Sequence, residues 1–272
     1  MRRLTWFNAT SLTLGFAFLY IPMIVVIVYS FNESKLVTVW GGFSTKWYGA
    51  LLQNEAFLDA AWVTFKVGLA SSLIATVLGT MGAYVLVRGG RFYGRTLFSG
   101  MIYAPLVMPE VITGLSLLLL FISIGLDRGL FTIVLAHATF SMCYVSVVVS
   151  SRLVSFDRSV EEAALDLGCT PFEAFRLVTL PIIAPAVISG WLLALTLSLD
   201  DLVIASFVAG PSATTLPIKV FSSIRLGVSP EINALSTILI GIVTIGTIAA
   251  SVTTKRAVMR KQREEQMAEQ GG

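Results

Sequence analysis

Three carboxylates stand in otherwise apolar stretches of this 272-residue chain. Glu110 follows a proline in one stretch, and Asp200 and Asp201 are adjacent near the end of another. An ionised carboxylate at membrane depth is costly unless water, a cation or a partner side chain compensates its charge. These acids therefore predict attraction of a positively charged ligand, which is strong where water is scarce. Pairing with Arg or Lys of a partner helix, which would fix subunit packing, is the alternative.

Helix geometry predicts different directions for the two adjacent aspartates. Successive helical residues differ by about 100° in direction and rise by about 1.5 Å. Asp200 therefore shares a face with Thr196, whereas Asp201 shares one with Ser198. We expect one aspartate to face a solute path and the other a neighbouring helix, with Thr196 and Ser198 as further path candidates. By the same rise, Glu110 and Asp200 each lie roughly 20 Å from the start of their span.

Residue types for metal, nucleotide or enzyme chemistry are sparse. His137 is the single histidine, so we expect it to be a buried hydrogen-bonded residue rather than a metal ligand. Cys143 and Cys169 suggest neither a disulfide framework nor a metal cluster. The segment 89–96 nearly spells the phosphate-binding motif G-x-x-x-x-G-K-[ST], but Arg95 replaces the lysine and no buried strand precedes it. We therefore predict no catalytic residue, metal or cofactor in this chain.

The composition identifies the elements that hold these acids as membrane helices. Hydrophobic residues make up 56% of the chain and charged residues 13%, against roughly 25% charged in soluble domains. Apolar runs of about 20 residues are long enough to cross the hydrocarbon core of a bilayer. We expect an all-α integral membrane protein in which residues 1–272 form a single transmembrane domain. Six spans are predicted, at 11–31, 62–87, 97–124, 131–151, 184–207 and 232–254.

Two features predict the shape and packing of these spans. Pro105 and Pro109 lie in the third span, so it should be kinked or locally unwound near Glu110, with its freed carbonyls facing protein or water. Small residues that permit close approach of a neighbouring helix repeat every four positions in the second span, at Ala75, Gly79 and Ala83.

Basic residues predict the orientation of the spans. The side that holds both termini carries thirteen of them, and the opposite side carries five, at Lys35, Lys46, Arg128, Lys219 and Arg225. The thirteen are Arg2, Arg3, Arg88, Arg91, Arg95, Arg152, Arg158, Arg176, Lys255, Arg256, Arg260, Lys261 and Arg263. By the positive-inside rule, both termini and the polar segment 159–181 are cytoplasmic. The net charge of +3 therefore reflects topology, and no nucleic-acid partner is expected.

Aromatic residues concentrate in the first outer loop, at about residues 32–61. Trp47 and Tyr48 lie there, and Trp and Tyr commonly anchor membrane proteins at headgroup level. The alternative is that one of them faces a cationic ligand through cation–π attraction, which would place it on the substrate path.

The polar segment 159–181 has the signals of two short helices joined at a glycine. Ser159 with Glu162, and Thr170 with Glu173, have the spacing of capping boxes. Gly168 suits the left-handed end of the first helix, and a proline follows at the start of the second. Leu180-Pro181 is expected to break the pattern before the next apolar run.

The same segment carries a family motif. Glu162-Ala163-Ala164, then Gly168, then Val178-Thr179-Leu180-Pro181 resembles the E-A-A…G…I-x-L-P loop of binding-protein-dependent ABC importer permeases, with Val178 in place of the usual Ile. The resemblance implies a type I ABC importer permease fold of six transmembrane helices, in which this loop is a cytoplasmic coupling helix that docks into an ATPase subunit. The implied coupling residues are Glu162, Ala163, Ala164, Gly168, Phe172, Phe175, Leu180 and Pro181. We expect the two phenylalanines to enter the ATPase groove. A hairpin packed on its own protein is the alternative.

Longer stretches of the sequence resemble one subgroup of this family. The strings A-P-L-V-M-P-E-V-I-T-G-L and L-T-L-S-L-D-D-L-V-I-A-S-F-V-A-G-P resemble the putrescine/spermidine importer permeases, and most closely the second permease of a putrescine system. This implies polyamine import by alternating access across a bacterial inner membrane. The implied partners are a second homologous permease, two copies of a cytoplasmic ATPase that holds ATP and Mg, and an extracytoplasmic polyamine-binding protein. An ABC permease for an amino acid or sugar is the main rival, and a secondary cation transporter or a membrane enzyme is disfavoured.

Overall fold

The computed structural model describes residues 5–36, 39–227 and 229–248. These residues form helices and one isolated bridge, between Asn32 and Phe43. The helices of the first half are α1 (Trp6–Ser30), α2 (Lys46–Gln53), α3 (Glu55–Arg88), α4 (Arg95–Val107), α5 (Glu110–Ser123) and α6 (Leu130–Ser155). They are followed by α7 (Ser159–Asp166), α8 (Pro171–Ala174), a π-helical turn (Phe175–Thr179), α9 (Leu180–Asp200), α10 (Val203–Val208), α11 (Leu216–Leu226) and α12 (Pro230–Ile248).

Five of the described helices are long and apolar enough to cross a membrane, counting Pro171–Asp200 as one, and α4 with α5 makes a sixth if that pair is one broken span. The pair is bent by 119° at Met108-Pro109, much more than a proline kink. The fifth predicted span, 184–207, is also interrupted, because α9 ends at Asp200 and α10 begins at Val203. The last six residues of the predicted span 232–254, and the basic residues Arg2, Arg3 and Lys255 to Arg263, lie outside the described residues.

The described residues divide into two compact units, one within residues 1–55 and 223–272 and the other within residues 56–222. In the first unit, the Asn32 side chain organises the loop after α1, since its amide donates to the Val39 carbonyl and its oxygen accepts from Gly41 N–H. Asn54 Nδ2 donates to Glu231 Oε2 at 2.9 Å, which joins this loop region to α12.

In the second unit, α6 is the central helix. The small residues of α3 face it: a Cβ on Gly79 would lie 2.6 Å from the Met142 carbonyl oxygen and 2.8 Å from Val145 Cβ. A Cβ on Gly190 of α9 would lie 3.2 Å from Cγ1 of the same valine. Ala75 and Ala83 are fully buried. The close approach predicted from the small-residue repeat is therefore confirmed, and it fixes α3 and α9 against α6.

Candidate functional site

Asp201 is held by neighbours within the second unit. Its Oδ1 accepts a hydrogen bond from Ile204 N at 3.3 Å and its Oδ2 accepts one from Ala205 N at 2.7 Å, so the carboxylate caps α10. His137 Nε2 lies 3.0 Å from Asp201 Oδ2, which is an ion-pair distance, although the alignment is not that of a hydrogen bond. The Asp201 side chain is 9% exposed. This aspartate is the member of the pair that faces its own protein.

His137 extends this contact into a buried polar network. Its Nδ1 lies 2.6 Å from Ser198 Oγ, and Ser71 Oγ donates to the same Ser198 oxygen at 3.0 Å. We call Ser71, His137, Ser198 and Asp201 the His137 network. It joins α3, α6 and α9 to the α9–α10 break, and Ser198 is therefore a buried packing residue in this structure.

Asp200 has a different environment. It is the last residue of α9 and is exposed, as is Thr196 one turn earlier, whose hydroxyl donates to the Leu193 carbonyl of its own helix at 2.8 Å. The carbonyls of the last turn of a helix have no intrahelical donors and carry partial negative charge. Asp200 therefore adds a carboxylate to a helix end that already attracts cations.

Glu110 also lies at a helix break. It is the first residue of α5, directly after Pro109, and it is exposed. The positive end of the α5 dipole favours a carboxylate at this position. The predicted unwinding next to Glu110 is confirmed by the break, although the turn of the chain is far larger than a kink.

Trp47 and Tyr48 belong to the first unit and are engaged within it. Trp47 Nε1 donates to the Asn32 carbonyl at 2.7 Å, and Lys46 Nζ lies 4.9 Å from the centre of the Trp47 rings. Tyr48 Oη and Ser30 Oγ are 2.7 Å apart. Both side chains fasten α2 to the end of α1, and their assignment to the substrate path stays a prediction.

The turn within the segment 159–181 forms as predicted. Gly168 has φ +94°, and Cys169 N–H donates to the Ala164 carbonyl at 3.1 Å, the long bond of a Schellman motif. The second capping box is present, because Thr170 N–H donates to Glu173 Oε2 at 2.8 Å and Glu173 N–H donates to Thr170 Oγ1 at 3.3 Å. The donors at Thr170 lower the pKa of the Glu173 carboxyl below its usual value.

The first predicted capping box, between Ser159 and Glu162, is wrong. Ser159 is already helical as the first residue of α7, and its N–H donates to Asp157 Oδ1 at 3.0 Å. That bond lowers the pKa of the Asp157 carboxyl. Glu162 instead pairs with Arg158 at 3.1 Å on the exposed surface. A carboxylate two residues before the helix satisfies this N–H better than a serine hydroxyl, because charged acceptors bind more strongly.

The predicted break at Leu180-Pro181 is also wrong, since Pro171–Asp200 is one continuous helix of 30 residues. Pro181 lacks an N–H and its ring would clash with a carbonyl one turn earlier. The π-helical turn Phe175–Thr179 lies in that region, and such a turn accommodates the mismatch without ending the helix.

The predicted coupling residues differ in exposure. Phe172 is 70% exposed, and Leu167 at the turn, which the sequence did not single out, is 87% exposed. Phe175 is half-buried, with its ring centre 4.9 Å from that of Tyr84 in α3. Ala163 is exposed and Ala164 is buried. Phe172 and Phe175 both line an apolar cavity of about 600 Å³ between α3 and the start of the long helix.

A buried ion pair that the sequence did not reveal anchors this segment. Glu161, next to the motif glutamate, is 2.8 Å from Arg88 Nε at the end of α3, and both side chains are largely buried. Its other oxygen accepts from Thr179 Oγ1 at 2.7 Å, and Arg88 Nη2 donates to the Phe156 carbonyl at 3.2 Å. Adjacent glutamates in a polar segment offer no local signal of which one turns inward.

Comparisons with known proteins add a second kind of observation. A family model described as "Binding-protein-dependent transport system inner membrane component" matches residues 75–261. The chain is 57% identical over 266 residues to the putrescine transport system permease protein PotI of Escherichia coli strain K12, covering 96% of this chain and 95% of that protein. It is 42% identical over 244 residues to the spermidine/putrescine transport system permease protein PotC of the same strain, covering 90% and 92%.

Among solved structures, the fold is similar to that of a bacterial ABC transporter involved in the import of the acidic polysaccharide alginate. The TM-score is 0.70, and the match covers 91% of this chain and 94% of that one. The sequence identity is 18%, so this likeness concerns the fold alone.

Proposed function

Because the chain belongs to the family of binding-protein-dependent transport system inner membrane components, we propose that it moves the polyamines putrescine and spermidine into the cytoplasm as a permease subunit of an ATP-driven importer. The observation that carries the substrate class is the 57% identity to a putrescine permease along nearly the whole of both chains. The exposed acids at two helix breaks support it, since a polyamine is a polycation at neutral pH.

The substrate path of this proposal includes Glu110, Thr196 and Asp200. The two carboxylates are exposed at the α4–α5 and α9–α10 breaks, where backbone groups leave regular hydrogen bonding. Irregular backbone at membrane depth is tolerated where it faces protein or a water-filled cavity rather than lipid. Ammonium groups would bind these acids and the free carbonyls at the end of α9, while Thr196 offers a hydroxyl on the same face.

The segment 159–181 is the coupling element of this proposal, docking on a cytoplasmic ATPase. Phe172 and Leu167 protrude from it, and exposed apolar side chains of this size suit a groove on a partner. Glu162, Ala163 and Gly168 shape the docking surface, while Leu180 and Pro181 continue the helix into the membrane. Movement of α8 would pass along one helix of 30 residues to Asp200.

The proposed assembly contains this chain, a second homologous permease, two copies of the ATPase and an extracytoplasmic polyamine-binding protein. ATP and Mg are placed on the ATPase. ATP binding would draw the two coupling elements together and switch the path between inward-open and outward-open states. Both termini are placed in the cytoplasm of a bacterial cell, by the distribution of basic residues.

The test is reconstitution of the full complex in vesicles, with uptake of putrescine, spermidine and a neutral amino acid measured with and without ATP. We expect ATP-dependent uptake of the amines and little uptake of the amino acid. Replacement of ATP by a non-hydrolysable analogue is the control, and it should abolish amine uptake. Uptake of the amino acid without amine uptake would contradict the polyamine assignment.

A further inference from the structure

We propose that His137 and Asp201 are positioning residues that fix the α9–α10 break, so that Asp200 alone of the two adjacent aspartates receives the ammonium group of the substrate. The inference rests on the proposed function, because it assigns roles within the polyamine path. It divides two chemically identical neighbours into a structural carboxylate and a binding carboxylate.

Asp201 has little capacity left to bind a ligand. Both carboxylate oxygens accept backbone N–H groups of α10, and one of them also lies at ion-pair distance from His137. The side chain is nearly buried, so a cationic ligand would have to displace these neighbours. Removing donors from a buried carboxylate leaves its charge uncompensated, which is strongly unfavourable.

Both ends of α10 are fastened to α6. His137 of α6 contacts Asp201 before the helix, and Thr132 Oγ1 of α6 donates to the Val208 carbonyl at the end of the helix, at 2.9 Å. His137 is 2% exposed, and Ser198 holds its other ring nitrogen. The imidazole is therefore fixed in direction by α9 while it orients Asp201.

The contacts of Asp201 with His137 and α10 define where α9 ends. Asp201 adopts an extended conformation and caps α10, so the helix does not continue beyond Asp200. The carbonyls in the last turn of α9 therefore receive no N–H donors from a following helical turn. Asp200 lies at that end and is exposed. Loss of the cap would let the break shift, and the binding carboxylate would shift with it.

The test compares Asp200→Asn with Asp201→Asn, the same chemical change at adjacent positions, in the reconstituted complex. For Asp200→Asn we expect KM for putrescine to rise by roughly tenfold or more, which corresponds to loss of about 1.4 kcal/mol of binding. The unfolding temperature of the purified complex should not change. For Asp201→Asn we expect KM within about twofold of wild type, a reduced maximal rate and a lower unfolding temperature.

Two His137 variants separate positioning from simple destabilisation. His137→Gln keeps a polar side chain between Ser198 and Asp201, whereas His137→Leu removes it, so the glutamine variant should retain more of the maximal rate. Neither should raise KM as Asp200→Asn does. Equal increases in KM for Asp200→Asn and Asp201→Asn would overturn the inference, as would a normal KM in Asp200→Asn. Failure of the wild-type complex to take up putrescine would instead contradict the proposed function.

Discussion

At the scale of single residues, the environment decides roles that residue type leaves open. Asp200 and Asp201 are adjacent and chemically identical, yet one is exposed at a helix end and the other caps the next helix. Glu161 and Glu162 form a similar pair, with the first buried against Arg88 and the second exposed beside Arg158. Glu161 and Glu162 differ by a rotation of about 100° along α7, whereas Asp200 and Asp201 lie on either side of the end of α9.

The two phenylalanines of the segment 159–181, Phe172 and Phe175, should respond differently to substitution. Phe172→Asp places a charge on an exposed residue that we propose docks on the ATPase, so we expect a folded permease that retains less ATPase during purification and transports poorly. Phe175→Ala removes an aromatic contact with Tyr84, and about 1 kcal/mol of stability with it, while ATPase binding persists. Co-purification of the ATPase and thermal unfolding measure the two effects. Full ATPase retention and transport in Phe172→Asp would contradict the docking role.

At the scale of elements, the segment 159–181 is joined in two ways to helices that are long enough to cross a membrane. The long helix Pro171–Asp200 makes α8 continuous with the fifth crossing helix, and the Arg88–Glu161–Thr179 contacts join α7 to α3. In the proposed coupling mechanism, a displacement at α8 would reach Asp200 along the same continuous helix and would reach α3 through the Arg88–Glu161 ion pair.

The buried ion pair provides a prediction with an internal control. Glu161→Gln leaves the Arg88 charge without its partner, so we expect destabilisation of about 3 kcal/mol and weaker coupling of ATP hydrolysis to uptake. Glu162→Gln removes an exposed pair, which is worth at most about 1 kcal/mol. Thermal unfolding of the two variants reports the difference in stability. Equal effects of the two variants would show that Glu161 has no special anchoring role.

The packing of α3 on α6 gives a prediction about helix spacing. Gly79→Ala adds a Cβ that would lie 2.6 Å from the Met142 carbonyl oxygen and 2.8 Å from Val145 Cβ. Both distances are shorter than a Cβ tolerates, so the helices must separate. We expect destabilisation of about 1–3 kcal/mol, as for other overpacked cores. Gly100→Ala in α4 is the control, because its Cβ meets no atom within 4 Å. Thermal unfolding of the two variants should differ clearly, and similar unfolding temperatures would contradict the close-packing account.

At the scale of the whole molecule, the family match and the fold likeness confirm the ABC importer permease resemblance that the motif predicted. The residues described include five helices that can cross a membrane and a sharply broken pair, against six predicted spans. The orientation of the chain in the membrane follows from charge distribution, and it stays a prediction.

The native cysteines allow that orientation to be tested. Cys169 is half-buried within the segment 159–181, whereas Cys143 is buried in α6. We expect a membrane-impermeant maleimide to label Cys169 in inside-out vesicles and not in right-side-out cells. Cys169→Ser is the control, and it should remove the signal because Cys143 is inaccessible. Labelling of intact cells at Cys169 would place the segment outside and contradict the assignment.

The sequence by itself determined the helical membrane class, the family motif, the turn at Gly168 and the capping box at Thr170. These depend on composition or on contacts between residues a few positions apart, which local rules describe. Even so, the local rules failed at Ser159, where Asp157 is the stronger acceptor, and at Pro181, where a π-helical turn carries the helix onward.

Only the tertiary structure decided which acids are available to a ligand. Asp201 is already in contact with His137, which lies 64 positions earlier in the chain. Glu161 is already paired with Arg88, which lies 73 positions earlier. No local pattern encodes such contacts, because they arise when separate helices pack. Asp200 stays exposed at the end of α9, where a cation can reach its carboxylate.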